Sequence, residues 1–261
     1  MELTKYCYVV RTTWMNSLAY VMDFVGSSFF MAILMFVFIS LWTTIYGGGS
    51  VIDGFTLPMM IWYLVMSESI IFSDSRVADE ISQEVKSGHL AYSLNKPYNY
   101  VLFKYSQYIG RAFMRFFVAF LTGAIITLLF VGPINLSPAT ILVPIIILAA
   151  ISLNFLFFVI IGLLAFWFED TKSFQLIYSK IIFTLGGMLI PLEFYPGWLE
   201  KLSLSLPFAT VPYFPARLFV NFTADLFTKA LILQFFWGCI LILIITLIYV
   251  KASKKVQIHG G

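Results

Sequence analysis

The sequence predicts an all-α membrane protein with six transmembrane helices, an N-terminal interfacial helix, a helix in the largest cytoplasmic loop and an outer re-entrant helical hairpin. Three observations lead there. Hydrophobic residues make up 61% of the 261-residue chain and charged ones 11%, so most of the surface must face lipid. Six apolar runs reach the length of a bilayer core. Lysine and arginine crowd into the segments on one side of those runs, which orients them.

Residues 1–23 mix Tyr6, Tyr8, Val9, Val10, Trp14, Leu18 and Val21 with Lys5, Arg11, Asn16 and Asp23. Aromatic rings beside cations suit a helix at headgroup level; a cytoplasmic extension of the first span fits the same residues. No cleavable leader is expected, because this polar-punctuated stretch runs into an apolar run long enough to span. The spans are read as residues 24–46, 57–73, 113–131, 140–168, 173–192 and 230–250. In lipid they must be helices, since an open strand edge leaves backbone groups unpaired. The fourth is overlong and carries Pro144 early, which predicts a tilt or a late start. Residues 169–172 join the fourth and fifth spans as a tight antiparallel hairpin.

One side of the membrane receives Lys5, Arg11, Arg76, Lys86, Lys96, Lys104, Arg111, Lys172, Lys251, Lys254 and Lys255; the other receives Lys201, Arg217 and Lys229. Both termini are therefore expected in the cytoplasm. In the cytoplasmic loop 74–112, Val77, Ile81 and Val85 recur every four residues and form one apolar stripe. Asp79, Glu80, Gln83, Glu84 and Lys86 take the other faces. Ser73 or Asp74 can cap this helix and Gly88 suits its end. It is either a solvated linker or a docking element that presents Val77, Glu80, Ile81, Glu84, Val85 and Gly88 to a cytoplasmic partner.

Toward the other end, the apolar run stops at Pro191, and Pro196 and Pro207 bracket a short amphipathic piece that opens with Trp198. About nine residues reach only ~14 Å, against a hydrocarbon core of ~30 Å. Segment 193–229 must therefore dip into the membrane surface and return, with Gly186, Gly187 and Pro191 supplying the bend. Among the charges inside spans are Glu68 and Lys180. Both side chains can snorkel to the near surface, or they can meet and brace a cytoplasmic gate.

Chemistry is sparse. The chain has no Gly-x4-Gly-Lys-Ser/Thr loop, no Gly-x-Ser-x-Gly elbow and no His-Glu-x2-His helix, so no catalytic residue and no enzyme activity are expected. His89 and His259 have no second ligand at metal spacing, and Cys7 and Cys239 do not suggest a pair. Neither a metal site, a cofactor held by this chain nor a nucleic-acid partner is expected.

Two motifs, each at its place in the six-span order, make the chain resemble the permease subunits of type-two, export-type ABC transporters. One is Gly186-Gly-Met-Leu-Ile-Pro-Leu-Glu-Phe-Tyr-Pro-Gly-Trp-Leu-Glu-Lys-Leu-Ser-Leu-Ser-Leu-Pro207, just before the last span. The other, Glu84-Val-Lys-Ser-Gly-His-Leu-Ala-Tyr-Ser-Leu-Asn-Lys-Pro97, follows the second span. It departs from the family pattern at Ala91, where an acidic residue is common. The resemblance covers essentially the whole chain and implies a single permease domain, 1–261, in the cell (plasma or inner) membrane. It further implies that the loop helix is a coupling helix seated on an ABC ATPase. ATP and magnesium would sit on that ATPase, and a second permease, identical or related, would complete a dimer around the pathway. A self-sufficient channel or secondary transporter is the alternative, opposed by the scarcity of intramembrane ionisable groups and of any inverted repeat. A scaffold or assembly factor is a third. No residue selects a cargo, although a Phe-rich interior leans toward a hydrophobic or amphipathic one.

Overall fold

The computed structural model describes residues 2–17, 21–49, 51–74, 76–94, 96 and 98–259. The motif residues Asn95 and Pro97, and Leu18 of the N-terminal segment, lie outside them. Among these residues eleven α-helices run in order: α1 Glu2–Ser17, α2 Val21–Tyr46, α3 Leu57–Phe72, α4 Val77–Lys86, α5 His89–Leu94, α6 Tyr100–Phe130, α7 Val143–Leu163, α8 Lys172–Leu185, α9 Gly197–Ser205, α10 Tyr213–Val220 and α11 Ala224–His259. Four are long and apolar enough to cross a membrane, over Phe24–Tyr46, Tyr100–Phe130, Pro138–Phe166 and Ala224–Lys251.

The second and fifth expected spans are shorter than the apolar runs that suggested them. Helix α3 has 16 residues and α8 has 14, about 24 and 21 Å of rise. Thr56 caps α3, accepting from the Met59 amide at 3.4 Å, and Pro58 occupies the first turn, where its missing N–H costs nothing. Helix α8 stops at Gly186, and Gly187 follows at φ +69°, a left-handed conformation that ends a helix readily only with glycine. The apolar run continues to Ile190 in sequence, but the helix does not.

Helix α3 forms the centre. Every residue from Met60 to Ile70 is buried, which is what a helix apolar on all sides requires. It is enclosed by α2, α6 and α10. At Gly123 of α6 the side chains of Met31 and Val65 come so close that a Cβ would meet them at 2.7 and 3.0 Å. Gly110, further toward the start of α6, admits α1: a Cβ there would lie 2.8 Å from the Val10 carbonyl. Helix α7 packs along α11, and Gln234 of α11 donates to the carbonyls of Ile146 and Thr210 at 3.1 and 3.0 Å.

Two local expectations are corrected. The loop expected to extend to residue 112 ends at Asn99, whose side chain accepts from the Leu102 amide at 3.0 Å and starts the 31-residue α6. Polar residues are tolerated so early in α6 because Lys104 and Arg111 find partners, described below. Nor do Ser73 and Asp74 cap α4. Ser73 Oγ donates back to Ile70 O at 2.6 Å and closes α3, while the Asp74 carbonyl accepts from Arg115 at 2.8 Å. Helix α4 starts instead after Arg76, which sits at φ 57° without a side-chain cap.

Candidate functional site

The end of the bundle that gathers Lys104, Arg111 and the acidic residues of α4 is built by α4, α6, α7 and α8. Along α4 the sequence places Val77, Ala78, Ile81 and Ser82 on one side, and all four are buried. They pack on the last turns of α7, where Gly162 permits the approach: a Cβ there would meet Ile81 Cβ at 2.7 Å and the Ala78 carbonyl at 3.1 Å. The acidic face turns to α6. Glu80 takes Arg111 through both oxygens, at 2.7 and 3.1 Å. Glu84 accepts from Lys104 at 2.7 Å and from Tyr100 OH at 2.6 Å, and Lys104 reaches Glu80 at 3.4 Å. Asp79 accepts from Gln175 of α8 at 2.8 Å. Lys104 is only 5% exposed, so its pair with Glu84 is better shielded than a surface pair, whereas Arg111 and Glu80 are 27% and 32% exposed.

The six residues expected to meet a partner therefore divide. Val77 and Ile81 are buried against α7, Glu80 and Glu84 are paired with α6, and Val85 is half-buried. Gly88 is exposed at φ +73°. The outward face of this region is Arg76, Gln83, Lys86, Ser87, Gly88 and His89. Glu80, Gln83, Glu84, Ser87, His89, Lys104, Gln107 and Arg111 line a polar groove of about 450 Å³.

Glu68 and Lys180 do not meet. Glu68 is 2% exposed on α3 and makes no ion pair or hydrogen bond with any described residue. Lys180 is exposed on α8, its ammonium 5.7 Å from the Phe183 ring centroid. Matching depth in two spans does not fix azimuth, and although Phe183 neighbours both residues, no ion pair forms between them.

At the opposite end the residues 186–220 fold onto α3. Tyr63 OH donates to the Gly187 carbonyl, and Ser67 Oγ to the Met188 carbonyl at 2.8 Å. Pro191 precedes a 3-10 turn, Leu192–Phe194, and Pro196 precedes α9; Trp198 on α9 is 69% exposed, whereas Pro207 is buried at the start of a second 3-10 turn. Glu193, in the first turn, accepts from Arg217 Nε at 2.5 Å and from Tyr213 OH at 3.0 Å, both on α10. Both bonds converge on Oε1, leaving Glu193 Oε2 and one Arg217 nitrogen buried without partners. Burial, with the Glu193 carboxylate second, pushes the Tyr213 phenol well above its usual range. The Arg217 guanidinium also lies 4.8 Å from the Phe55 ring centroid, a cation–π distance. Helix α10 itself is buried at Tyr213, Phe214, Pro215, Ala216, Leu218 and Val220, and packs on α3 and α7.

Sequence reasoning missed the Glu193–Arg217–Tyr213 cluster and the partners of Glu80 and Glu84. One signal existed for Arg217: it is the lone charge in the otherwise apolar stretch Tyr-Phe-Pro-Ala-Arg-Leu-Phe-Val. A cation there must find an acceptor within the fold.

Helices of membrane length and a central helix buried from Met60 to Ile70 define a multi-pass, all-helical membrane protein. The family model described as ABC-2 family transporter protein matches residues 29–260. The chain belongs to that family and is the permease subunit of an ABC transporter, a class that works with ABC ATPase subunits. A comparison with curated proteins finds no match.

Proposed function

We propose that this permease forms the export pathway of an ATP-driven transporter as a dimer of six-span subunits in the cell membrane, with both termini cytoplasmic. The short α3 and α8 complete the six spans, and the Lys/Arg asymmetry sets the orientation. The chain has no catalytic role; ATP and magnesium bind to the partner ATPase. Helix α1 is the interfacial helix, and α9 with α10 are the re-entrant hairpin. Exported cargo leaves past α9 and α10, and the Glu193–Arg217 pair latches that exit. Burial of α10 against α3 and α7 supports this, because non-spanning backbone at depth survives only inside protein or around water.

The seating of α4 carries the proposal. Helix α4 is fastened to α6, α7 and α8 at once, so a push on its outward face moves three helices rather than one loop. That face is Gln83, Lys86, Ser87, Gly88 and His89, and we assign the ATPase contact to it rather than to the buried stripe.

Co-purification tests the reading. An ABC ATPase should remain with the permease in mild detergent, and the reconstituted complex should hydrolyse ATP in step with transport. Transport that proceeds with no ATPase present would support a self-sufficient channel or secondary transporter instead.

A further inference from the structure

Glu68 lines a groove of about 530 Å³ whose other walls are apolar and largely aromatic, among them Phe30, Leu34 and Phe38 of α2, Phe72 of α3 and Phe183 of α8. Phe30 and Phe183 are 53% and 40% exposed, so the groove opens on the outside of the bundle. The Phe30 and Phe72 rings lie 5.8 Å apart, and Glu68 itself is 2% exposed with no polar partner among the described residues. Elsewhere in the described structure, the buried Lys104 and the partly buried Arg217 and Glu193 all have an opposite charge in reach. A carboxylate left alone in such a place is costly unless something neutralises it.

We propose that this groove is a binding site for lipophilic cations, with the ligand's positive centre on Glu68 and its apolar groups among the phenylalanines. Charge complementarity selects the class: the lining side chains offer one acid, no cation and no hydrogen-bond donor, and the Lys180 ammonium, 5.7 Å from the Phe183 ring centroid, is not among them, so the lining itself favours a cation over an anionic or sugar-like ligand. Aromatic faces add attraction for a cation. As a statement about cargo, the inference rests on the export reading above; as a binding site it does not.

The test is equilibrium binding of radiolabelled tetraphenylphosphonium to the full chain in phosphatidylcholine nanodiscs, corrected for empty discs. Wild type should bind it, and Glu68→Gln should bind it about tenfold more weakly or worse, the usual scale for losing a charged partner. Glu68→Asp should keep the preference for cation over anion. Leu34→Trp, which fills the groove with the acid intact, should also weaken binding, so the test stands even if Glu68→Gln misfolds. Tetraphenylborate, similar in size and opposite in charge, should bind no better than to empty discs. Equal tetraphenylphosphonium binding by wild type and folded Glu68→Gln overturns the proposal. So does equal uptake of tetraphenylborate, or no binding by wild type, which would mean that lipid or a second copy of the chain covers the groove. No ATPase is present in this assay. A failure of the export reading appears separately, as absent co-purification.

Discussion

At the scale of single residues, two close approaches that look alike have different consequences. A Cβ at Gly123 would come closest, at 2.7 Å, to the end of Met31, a flexible side chain, with Val65 at 3.0 Å; a Cβ at Gly162 would come closest, at 2.7 Å, to Ile81 Cβ, with the Ala78 carbonyl at 3.1 Å. The methionine can swing aside and leave only the looser Val65 contact, whereas the Ile81 Cβ and the carbonyl are fixed by the backbone of α4. Gly162→Ala is therefore expected to cost about 1–3 kcal/mol by overpacking and to lift α4 from α7. Thermal unfolding in detergent, with ATPase activity of the complex as a second readout, checks both, and a Gly162→Ala protein as stable and coupled as wild type would refute the close packing. The Glu193–Arg217 pair makes a second residue-scale prediction. Arg217→Met leaves Glu193 with Tyr213 alone and should destabilise by about 3 kcal/mol, in the range for breaking a shielded pair. The double variant Glu193→Gln with Arg217→Met should be more stable than Arg217→Met by itself, because no charge is then abandoned. If the single and double variants melt together, the pair is not a latch.

At the scale of elements, α4 shows how position converts a surface-looking charge into an anchor. Glu80 and Glu84 occupy the polar faces of an amphipathic helix, and by spacing alone they belong to solvent or to a partner. Their partners Lys104 and Arg111 come from α6 instead. Glu80→Lys would place a cation beside both and is expected to loosen α4 and lower the unfolding midpoint. Lys86→Glu, on the exposed side, should leave the stability within about 0.5 kcal/mol of wild type, as exposed substitutions usually do. Its effect should fall on the ATPase: weaker capture and slower coupled transport, since like charge at an interface costs more than on a free surface. Pull-down of the ATPase against each variant separates the two roles. If Lys86→Glu binds and transports normally, the outward face of α4 is not the docking surface.

At the scale of the whole molecule, the orientation is testable by single-cysteine accessibility once Cys7 and Cys239, both exposed, are replaced by serine. Ser203 and Ser82 fall outside the expected spans but are buried, at 0% and 4% exposure. Lys201 and Gln83 are their exposed neighbours. Lys201→Cys should react with an impermeant maleimide from outside intact cells, and Gln83→Cys only after permeabilisation. Outside labelling at residue 83 would overturn the topology.

The class of protein, its helical nature, the short piece between Pro196 and Pro207 and a helix between Asp74 and Gly88 were all legible in the chain. Each depends on composition, on the length of an apolar run or on a residue with one conformational habit, and such properties survive without neighbours. The family resemblance likewise rests on local motifs in a fixed order. Three matters needed the tertiary structure. Where α8 ends is decided by a backbone turn at Gly186 and Gly187 that Tyr63 and Ser67 of α3 hold by their hydroxyls, although the hydropathy runs on. Which face of α4 is free is decided by Gly162 and by two cations some twenty to thirty residues downstream (Lys104 and Arg111). That Glu68 stands alone while Arg217 finds Glu193 is decided by the rotation of each helix about its own axis. A run of apolar residues places a charge at a depth in the membrane; only the packing of neighbouring helices fixes the direction in which it points.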